Sequence, residues 1–281
     1  MALRNVVLAG VTGNLGPALL TALSSSPSLT VTVDYTSIDN LTTALQGQDA
    51  VVSAIPPTAA ASQTNLIHAA VAAKVTRFLP SEFGSDLDNP LNRAAPVYGP
   101  KIAAQELLKS LAAAGKISYT IVYNGAFLDW GLKIGFPLSP VLKKAALHDG
   151  GDRLYSTTTL PVVGQAVVGV LAHLEETKNR VVRVSEATTT LKELLALSQE
   201  IVGSEGWSIT EPDTTAEVDK ALAQMKQGVI NQATIMPFIF KAIWGEGNGG
   251  LFEKTDNELL GIRVLDREGI KRVIQGVVDG H

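Results

Sequence analysis

Residues 4–17, RNVVLAGVTGNLGP, constrain the fold of this chain more than any other stretch. A short apolar run, Val6 to Ala9, precedes Gly10, Gly13 and Gly16, and the helix-like segment ALLTAL follows. In such a strand–turn–helix unit the first glycine allows a tight turn and the second lets the backbone approach a pyrophosphate. The third lets the helix pack on the strand, and the helix N-terminus offers free N–H groups to phosphates. The stretch predicts a dinucleotide site, with a purely structural turn as the alternative, since the spacing is G-x-x-G-x-x-G.

Size and composition exclude several other classes of protein. Hydrophobic residues make up 46% of the 281 residues, which is enough for a sizeable core. The net charge of -4 and the lack of a basic run disfavour nucleic-acid binding. The chain has no cysteine and only scattered histidines, which argues against disulfides and a metal site and fits a reducing compartment. No apolar run reaches the roughly 18 residues of a membrane helix, and the first strand leaves no room for a signal peptide, so we expect a cytoplasmic protein.

Strands and helices alternate through the first half of the chain. Apolar runs indicate strands at Leu29 to Val33, Ala50 to Ile55, Arg77 to Leu79 and Tyr119 to Tyr123. Helix signals stand between them, the last one starting at Gly99 and Pro100. This order predicts an α/β fold, a doubly wound parallel sheet of the Rossmann type. Ligands of such sheets bind at the carboxyl ends of the strands, so residues 10–16, 55–58, 80–84 and 124–127 should converge on one crevice.

The second half has a different pattern. Residues 145–147 and 153–156, joined by His148-Asp149-Gly150-Gly151, predict a β-hairpin. Residues 181–185 predict a strand that returns to the main sheet, and from Ala187 on the pattern is mainly helical. We therefore expect a dinucleotide-binding domain of residues 1–134 with 157–186. Residues 135–156 with 187–281 would form a smaller, mainly helical substrate lobe.

Several segments resemble one known family. AGVTGNLG, DAVVSAI, RFLPSEFGSDLDNP and YTIVYNGAFLDWGL stand in the order found in the isoflavone reductase-like and NmrA-like branch of the atypical short-chain dehydrogenases, particularly its fungal members. The resemblance implies that the glycine loop holds the pyrophosphate and that PSEFG passes near the nicotinamide. It also implies that Lys101, which opens the next helix, is the catalytic or nicotinamide-ribose residue. Such reductases transfer hydride from NADPH to small aromatic or phenylpropanoid-like molecules.

The candidate site residues follow from the strand ends and from this resemblance. Lys101 is the candidate catalytic residue. The candidate cofactor-binding residues are Gly10, Thr12, Gly13, Asn14, Leu15, Gly16, Ala54, Ile55, Pro80, Ser81, Glu82, Phe83, Lys101, Asn124 and Phe127.

Six of the residues outside the glycine loop also have a simpler interpretation. Lys101 can be a solvated lysine in the first turn of a helix, where the helix dipole disfavours it. Ser81 and Glu82 can simply cap their loop. Phe83 can belong to the core, as Phe127 can, and Asn124-Gly125 is also an ordinary turn sequence.

The segment around Asp34 departs from the family pattern. LTVTV runs directly into DYTS, and about 20 residues are absent relative to the family's usual spacing, in keeping with strand-plus-loop lengths. No Lys or Arg stands between Arg4 and Lys74, so the usual clamp for the NADP 2′-phosphate is missing. Asp34 lies 18 positions after Gly16, near where an NAD-binding acid grips the ribose. The cofactor is therefore predicted to be NADP, with NAD as the alternative.

Two functions remain open at this point. The first is an NADP-dependent reductase of a small aromatic or enone-type metabolite, which Lys101 favours. The second is a non-catalytic, dinucleotide-sensing regulator of the NmrA-like type, which the missing segment favours.

Overall fold

The computed structural model describes residues 5–24, 34–56, 59 and 62–280. The predicted strand at Leu29 to Val33 lies outside these residues, as do positions 57 and 58 of the predicted crevice.

The strands are short, and the longest has six residues. In chain order they are β1 (Val6–Ala9), β2 (Ala50–Ser53), β3 (Arg77–Leu79), β4 (Ser118–Tyr123), β5 (Ala126–Phe127), β6 (Leu138–Ser139), β7 (Lys144–Ala146), β8 (Tyr155–Thr158), β9 (Arg180–Arg183), β10 (Ala187–Thr189) and β11 (Ser208–Thr210). The helices are α1 (Gly16–Leu23), α2 (Ile38–Ala44), α3 (Gln63–Ala72), α4 (Pro90–Arg93), α5 (Gly99–Ala113), α6 (Leu128–Ile134), α7 (Leu160–Ala172), α8 (Leu191–Val202), α9 (Thr214–Lys226), α10 (Gln232–Trp244), α11 (Asn257–Leu260) and α12 (Arg267–Asp279).

The central sheet is parallel, as the alternation of strands and helices predicts. Over the described residues its strand order is β1-β2-β3-β4-β9. Val7 pairs with Val51 and Val51 with Phe78, while Ile121 pairs with Val181 on the strand that returns from the second half. The predicted return of this strand to the main sheet is thus confirmed.

Helices cover both faces of this sheet because successive side chains along each strand point to opposite faces. Val51 and Phe78 belong to the cluster that also contains residues of α2, α3 and α5. Val52 and Leu79, the next residue on each strand, belong to the cluster formed with α1 and α7. The central members of both clusters are buried apolar side chains, so the doubly wound architecture is confirmed.

One charged residue lies inside the sheet layer. Arg77 on β3 is 2% exposed, and its guanidinium donates to Ser118 Oγ at 2.8 Å, to Thr120 Oγ1 at 2.9 Å and to the Leu174 carbonyl at 2.6 Å. Thr177 Oγ1 accepts a further bond at 3.1 Å. This network ties β3 and β4 to the segment between α7 and β9. Burial lowers the pKa of Arg77, and the nearby Glu175 opposes that effect.

A third apolar cluster lies outside the main sheet. It contains residues of α6, α8, α10 and α12, with Trp244 1% exposed near its centre. The His148 ring stacks on Trp244 with a centroid distance of 5.1 Å and an interplanar angle of 2°. His148 is 3% exposed, and burial lowers its pKa to about 4. Residues 135–156 and 187–281, the predicted smaller lobe, contain α8 to α12 together with β6, β7, β10 and β11, and the division into two domains stays a prediction.

The hairpin predicted at residues 145–156 is wrong. β7 pairs with β6 and β11, whereas β8 pairs with β10 and β5. The reason is the turn between them. Asp149 has φ 49°, and its carboxylate accepts from Thr214 N at 2.7 Å and from Arg153 at 2.9 Å. These bonds dock the turn against the start of α9, so residues 148–151 do not form the predicted hairpin loop.

In the part of the chain that the structure describes, no helix is both long and apolar enough to cross a membrane.

Candidate dinucleotide and active site

Two of the three glycines in the loop between β1 and α1 are required by the fold itself. Gly10 has φ +86°, and a Cβ there would lie 2.4 Å from the Ala54 carbonyl oxygen. A Cβ on Gly16 would lie 2.2 Å from the Val11 carbonyl oxygen. Real Cβ atoms do not approach backbone oxygens so closely, so neither position tolerates a side chain without movement of the backbone. The clash at Gly16 is with the loop rather than with the strand on which α1 was expected to pack.

The middle glycine is different, because the space beside it is open. The nearest atom to a Cβ on Gly13 would be the Gly10 carbonyl oxygen at 3.4 Å, an ordinary contact. Gly13 N donates to that same oxygen at 3.1 Å, which fixes the turn. Nothing in the described fold therefore requires glycine at this position, whereas a pyrophosphate approaching the loop would.

The start of α1 adjoins this open space. Leu15 is its N-cap residue, and no side chain among the described residues caps the helix there. Gly16 N donates to the Gly13 carbonyl at 3.2 Å and Pro17 has no N–H, so in the first turn of α1 the Ala18 N–H is left for an anion, which the helix dipole also favours. Thr12 and Asn14 are exposed on the loop, while Leu15 is buried beneath it. The residues fit the phosphates of a dinucleotide.

The predicted convergence of the strand ends is confirmed for the described residues. Ala54 follows β2 and lies against Gly10, and Ser81 Oγ donates to the Ile55 carbonyl at 2.9 Å. Glu82 N donates to the Pro80 carbonyl at 2.8 Å, which forms a tight turn after β3. The Gly84 carbonyl accepts from the backbone N–H of Asn124 at 3.2 Å and joins the β3 end to the β4 end.

Asn124 lies at the bottom of this crevice and is fully buried. Its Nδ2 donates to the Gly125 carbonyl at 3.1 Å, but no described residue donates to its Oδ1. Gly125 has φ +65°, and a Cβ there would lie 2.1 Å from the Ser156 carbonyl oxygen. The Asn-Gly pair therefore forms a turn, and it also leaves the buried Asn124 Oδ1 without a hydrogen-bond donor among the described residues. A buried acceptor without a donor is uncommon and is consistent with a bound ligand.

The two phenylalanines of the prediction are half-buried rather than fully enclosed. Phe83 and Phe127 both pack against the apolar cluster on the α1 and α7 face of the sheet. Phe127 also contacts Trp130 edge to face, with ring centroids 6.1 Å apart. Both residues thus contribute to the core, and each remains partly exposed.

Lys101 lies in the first turn of α5 and is half-buried. Within the described residues its Nζ has no hydrogen bond and no ion pair. Lys109, on the same helix, pairs with Glu106 at 3.2 Å. A free ammonium in a helix's first turn is electrostatically unfavourable, so its position is not explained by helix stability.

Glu82 is the member of the predicted set with the most unusual surroundings. Its carboxyl is 1% exposed, and Oε2 accepts from Gln105 Nε2 at 3.1 Å. Burial raises the pKa of this carboxyl, and the Lys101 cation, the Gln105 hydrogen bond and Arg93 oppose the increase. Loop capping does not account for a buried acid that faces a cation across the crevice.

An ion-pair cluster holds the loop that follows Glu82. Arg183 at the end of β9 donates to Asp86 at 2.7 Å and to Asp88 at 2.8 Å. Its guanidinium also lies 5.8 Å from the centroid of the Tyr123 ring. Sequence reasoning missed Arg183, because its partners lie almost a hundred residues earlier and no local pattern links them.

A cavity of about 770 Å³ lies between the α4 region and the second lobe. Leu91, Ala95 and Phe238 form apolar parts of its wall, and Arg153, Lys241 and Asn248 form polar parts. None of the predicted cofactor residues lines it. Of the residues that line the cavity, those nearest to Lys101 in the sequence lie between Leu91 and Pro96, in the segment that precedes α5. The described residues contain no cluster of three or more His, Cys, Asp or Glu side chains suited to a metal.

Comparison with known proteins identifies relatives over most of the chain. The family model described as NmrA-like matches residues 11–206. Oxidoreductase poxI of Penicillium oxalicum is 30% identical over 247 residues, which cover 83% of this chain and 76% of that protein. Oxidoreductase aprR of Aspergillus flavus is 28% identical over 300 residues, covering 98% of this chain and 99% of that protein. Since 300 exceeds the 281 residues of this chain, that alignment includes positions that this chain lacks.

Solved structures show the same fold at low sequence identity. Leucoanthocyanidin reductase from Vitis vinifera, in a ternary complex, superposes with a TM-score of 0.74 at 18% identity, covering 98% of this chain and all of that one. The NADPH complex of the quinone oxidoreductase QOR2 from Escherichia coli has a TM-score of 0.69 at 20% identity, covering 97% of this chain and 99% of that one.

Proposed function

Since this chain belongs to the NmrA-like family and is an oxidoreductase, we propose that it reduces a small aromatic or enone-type metabolite with NADPH. The observation that carries the proposal is the Lys101 ammonium on α5, which has no ion pair among the described residues and whose charge acts on Glu82 at the end of β3, in a fold whose glycine loop is open at its middle position. The relatives named oxidoreductases and the NADPH complex of a structural neighbour support it. In this proposal residues 1–134 and 157–186 hold the dinucleotide, while residues 135–156 and 187–281 cover the substrate.

The chain's own groups have distinct tasks in this reaction. Backbone N–H groups of the glycine loop and of Ala18 in α1 bind the phosphates beside Gly13, and the Asn124 side chain orients the cofactor or the substrate from the crevice floor. Phe83 and Phe127 restrict water at the site. The bound cofactor supplies the hydride. Lys101 donates a proton from Nζ to the substrate oxygen while a carbon atom of the substrate accepts the hydride.

The cofactor preference depends on the ribose end of the site. A 2′-phosphate requires cationic donors, yet residues 5–73 contain no Lys or Arg. The Asp34 carboxylate is exposed and accepts from Thr36 N at 2.8 Å and from Thr36 Oγ1 at 2.7 Å. These bonds lower the pKa of Asp34 and keep it ionised near neutral pH. We therefore propose NADP as the cofactor with only a weak preference over NAD.

The second candidate function is a dinucleotide-sensing regulator without turnover. The positions that this chain lacks relative to the Aspergillus flavus relative favour it. The two functions share the glycine loop and differ at Lys101, because a sensor has no use for a proton donor.

The discriminating experiment mixes the protein with NADPH and a panel of aromatic enones and quinones and follows NADPH oxidation. The reductase proposal predicts steady oxidation with at least one acceptor. Lys101→Ala should lose this activity, while Lys109→Ala, on the same helix but ion-paired to Glu106, should keep it. NADPH binding without oxidation of any acceptor would instead support the regulator.

A further inference from the structure

The carboxyl of Glu82 is a buried acid that the reaction outlined above does not use. It follows β3 in the tight turn closed by the Pro80 carbonyl, and the whole residue is 1% exposed. Oε2 receives one hydrogen bond, from Gln105 Nε2, and Oε1 has no partner among the described residues. An ionised carboxylate needs several donors to compensate for its lost hydration. One neutral amide does not provide them, so this environment favours the protonated acid.

Gln105 is itself fixed by its neighbours. Its Nε2 lies 3.1 Å from the Tyr123 hydroxyl, and its Oε1 accepts from Arg93 at 3.2 Å. Burial raises the pKa of the Tyr123 phenol, and it raises the pKa of the Tyr98 phenol to about 12. Both phenols are therefore uncharged near neutral pH. The charged groups that face Glu82 are thus Lys101 and Arg93, and Arg93 is already paired with Glu106.

Helix geometry brings Lys101 to the same side of α5 as Gln105. The two residues are four apart, and side chains at this spacing lie one above the other on a helix. Gln105 contacts Glu82, and the charge of Lys101, one turn earlier on the same side of α5, acts on that acid. No ion pair within 4.0 Å joins them in the described structure, and Glu82 Oε1 and Lys101 Nζ have no hydrogen-bond partner among the described residues.

We propose that Glu82 is a positioning residue that shares a proton with Lys101 and restores its ammonium during turnover. This inference rests on the proposed function. The substrate oxygen takes a proton from Lys101 Nζ as the carbon centre takes the hydride. The O–H bond of the Glu82 carboxyl then breaks as an N–H bond forms on Nζ. After the product leaves, Glu82 takes up one proton from the bulk solvent, which is the proton that the reduction consumes.

The pairing is testable without any substrate. Difference infrared spectroscopy detects the C=O band of a protonated carboxylic acid at about pH 6, where exposed glutamates are ionised. We expect this band in the wild-type protein and not in Glu82→Gln. In Lys101→Met the band should persist to a pH at least about 0.5 units higher than in the wild type, which is about a threefold change in the ionisation constant of Glu82. The reason is that this variant lacks the cation that favours the carboxylate. Since Lys101 is half-buried near the helix start, this variant tests the pairing even if Glu82→Gln does not fold.

A kinetic measurement separates the proton transfer from a packing role. The kcat of Glu82→Gln should fall about tenfold or more, and its pH profile should lose the limb that reports Glu82. Asp219→Asn, at an exposed acid on α9, should keep the wild-type profile. The inference would be overturned if Lys101→Met did not shift the infrared band, or if Glu82→Gln had the same pH profile as the wild type. Either result would leave the reductase proposal intact. A responsive band in a protein that oxidises no NADPH would uphold the pair and refute the proposed function.

Discussion

Substitution of Gly13 by valine tests the phosphate site without disturbing the fold. A Cβ at this position would meet only the Gly10 oxygen at 3.4 Å and the Ala54 oxygen at 3.8 Å. The valine side chain would then occupy the space assigned to the pyrophosphate. If two backbone hydrogen bonds to a charged phosphate are lost, at about 1.5–3 kcal/mol each, the Kd for NADPH should rise by about 10² to 10⁴.

Calorimetric titration with NADPH measures this change, and a thermal melt shows whether the variant is folded. Gly16→Ala is the matched control, because its Cβ would lie 2.2 Å from the Val11 oxygen. That variant should lose stability, whereas Gly13→Val should melt close to the wild type. A folded Gly13→Val protein with wild-type affinity for NADPH would refute the assignment of this loop to the phosphates.

Three further predictions concern the proton donor, the buried arginine and the buried histidine. Lys101→Ala should lower turnover by about 10² or more and change NADPH affinity by less than about tenfold, measured by initial rates and calorimetry; retained turnover would make Lys101 a surface lysine. Arg77→Lys keeps a buried charge but loses the guanidinium that donates to three hydroxyls and a carbonyl. The free energy of unfolding, measured by urea denaturation, should therefore fall by about 2 to 4 kcal/mol. An effect below about 0.5 kcal/mol would contradict that account. The folded pKa of His148, about 4, lies below its unfolded value of 6.5, so the unfolded chain binds more protons between these values. Stability should therefore fall by up to about 3 kcal/mol as the pH drops through this window, and His148→Phe should lack this part of the slope.

Local patterns predicted the elements of the sheet domain well. β1, the glycine loop and α1 are contiguous, so turn residues and apolar runs were enough to place them. β3 was predicted at its observed bounds, and β9 returned to the sheet as expected. The hairpin at 145–156 was predicted wrongly because its glycines do not form a tight loop. Asp149 instead fixes the turn through Thr214, sixty-five residues later.

The site was predictable only in part for the same reason. The strand ends converge because the fold class dictates it, and the predicted residues at those ends followed from that rule. The burial of Glu82 depends on Gln105 and Tyr123, which come from α5 and β4 and are not marked by any local pattern. The 770 Å³ cavity is lined by segments from four parts of the chain, and none of them carries a recognisable motif.

The most direct test of the account is calorimetric binding of NADPH and NADH to the wild-type protein, after mass spectrometry has confirmed its 29.6 kDa mass. The account predicts one NADPH bound per chain. It also predicts a preference over NADH of less than about tenfold, or about 1.4 kcal/mol, since residues 5–73 supply no cation for the 2′-phosphate. A strong NADPH preference would show that a cation elsewhere replaces the missing clamp. A folded protein that binds neither dinucleotide would contradict the central claim.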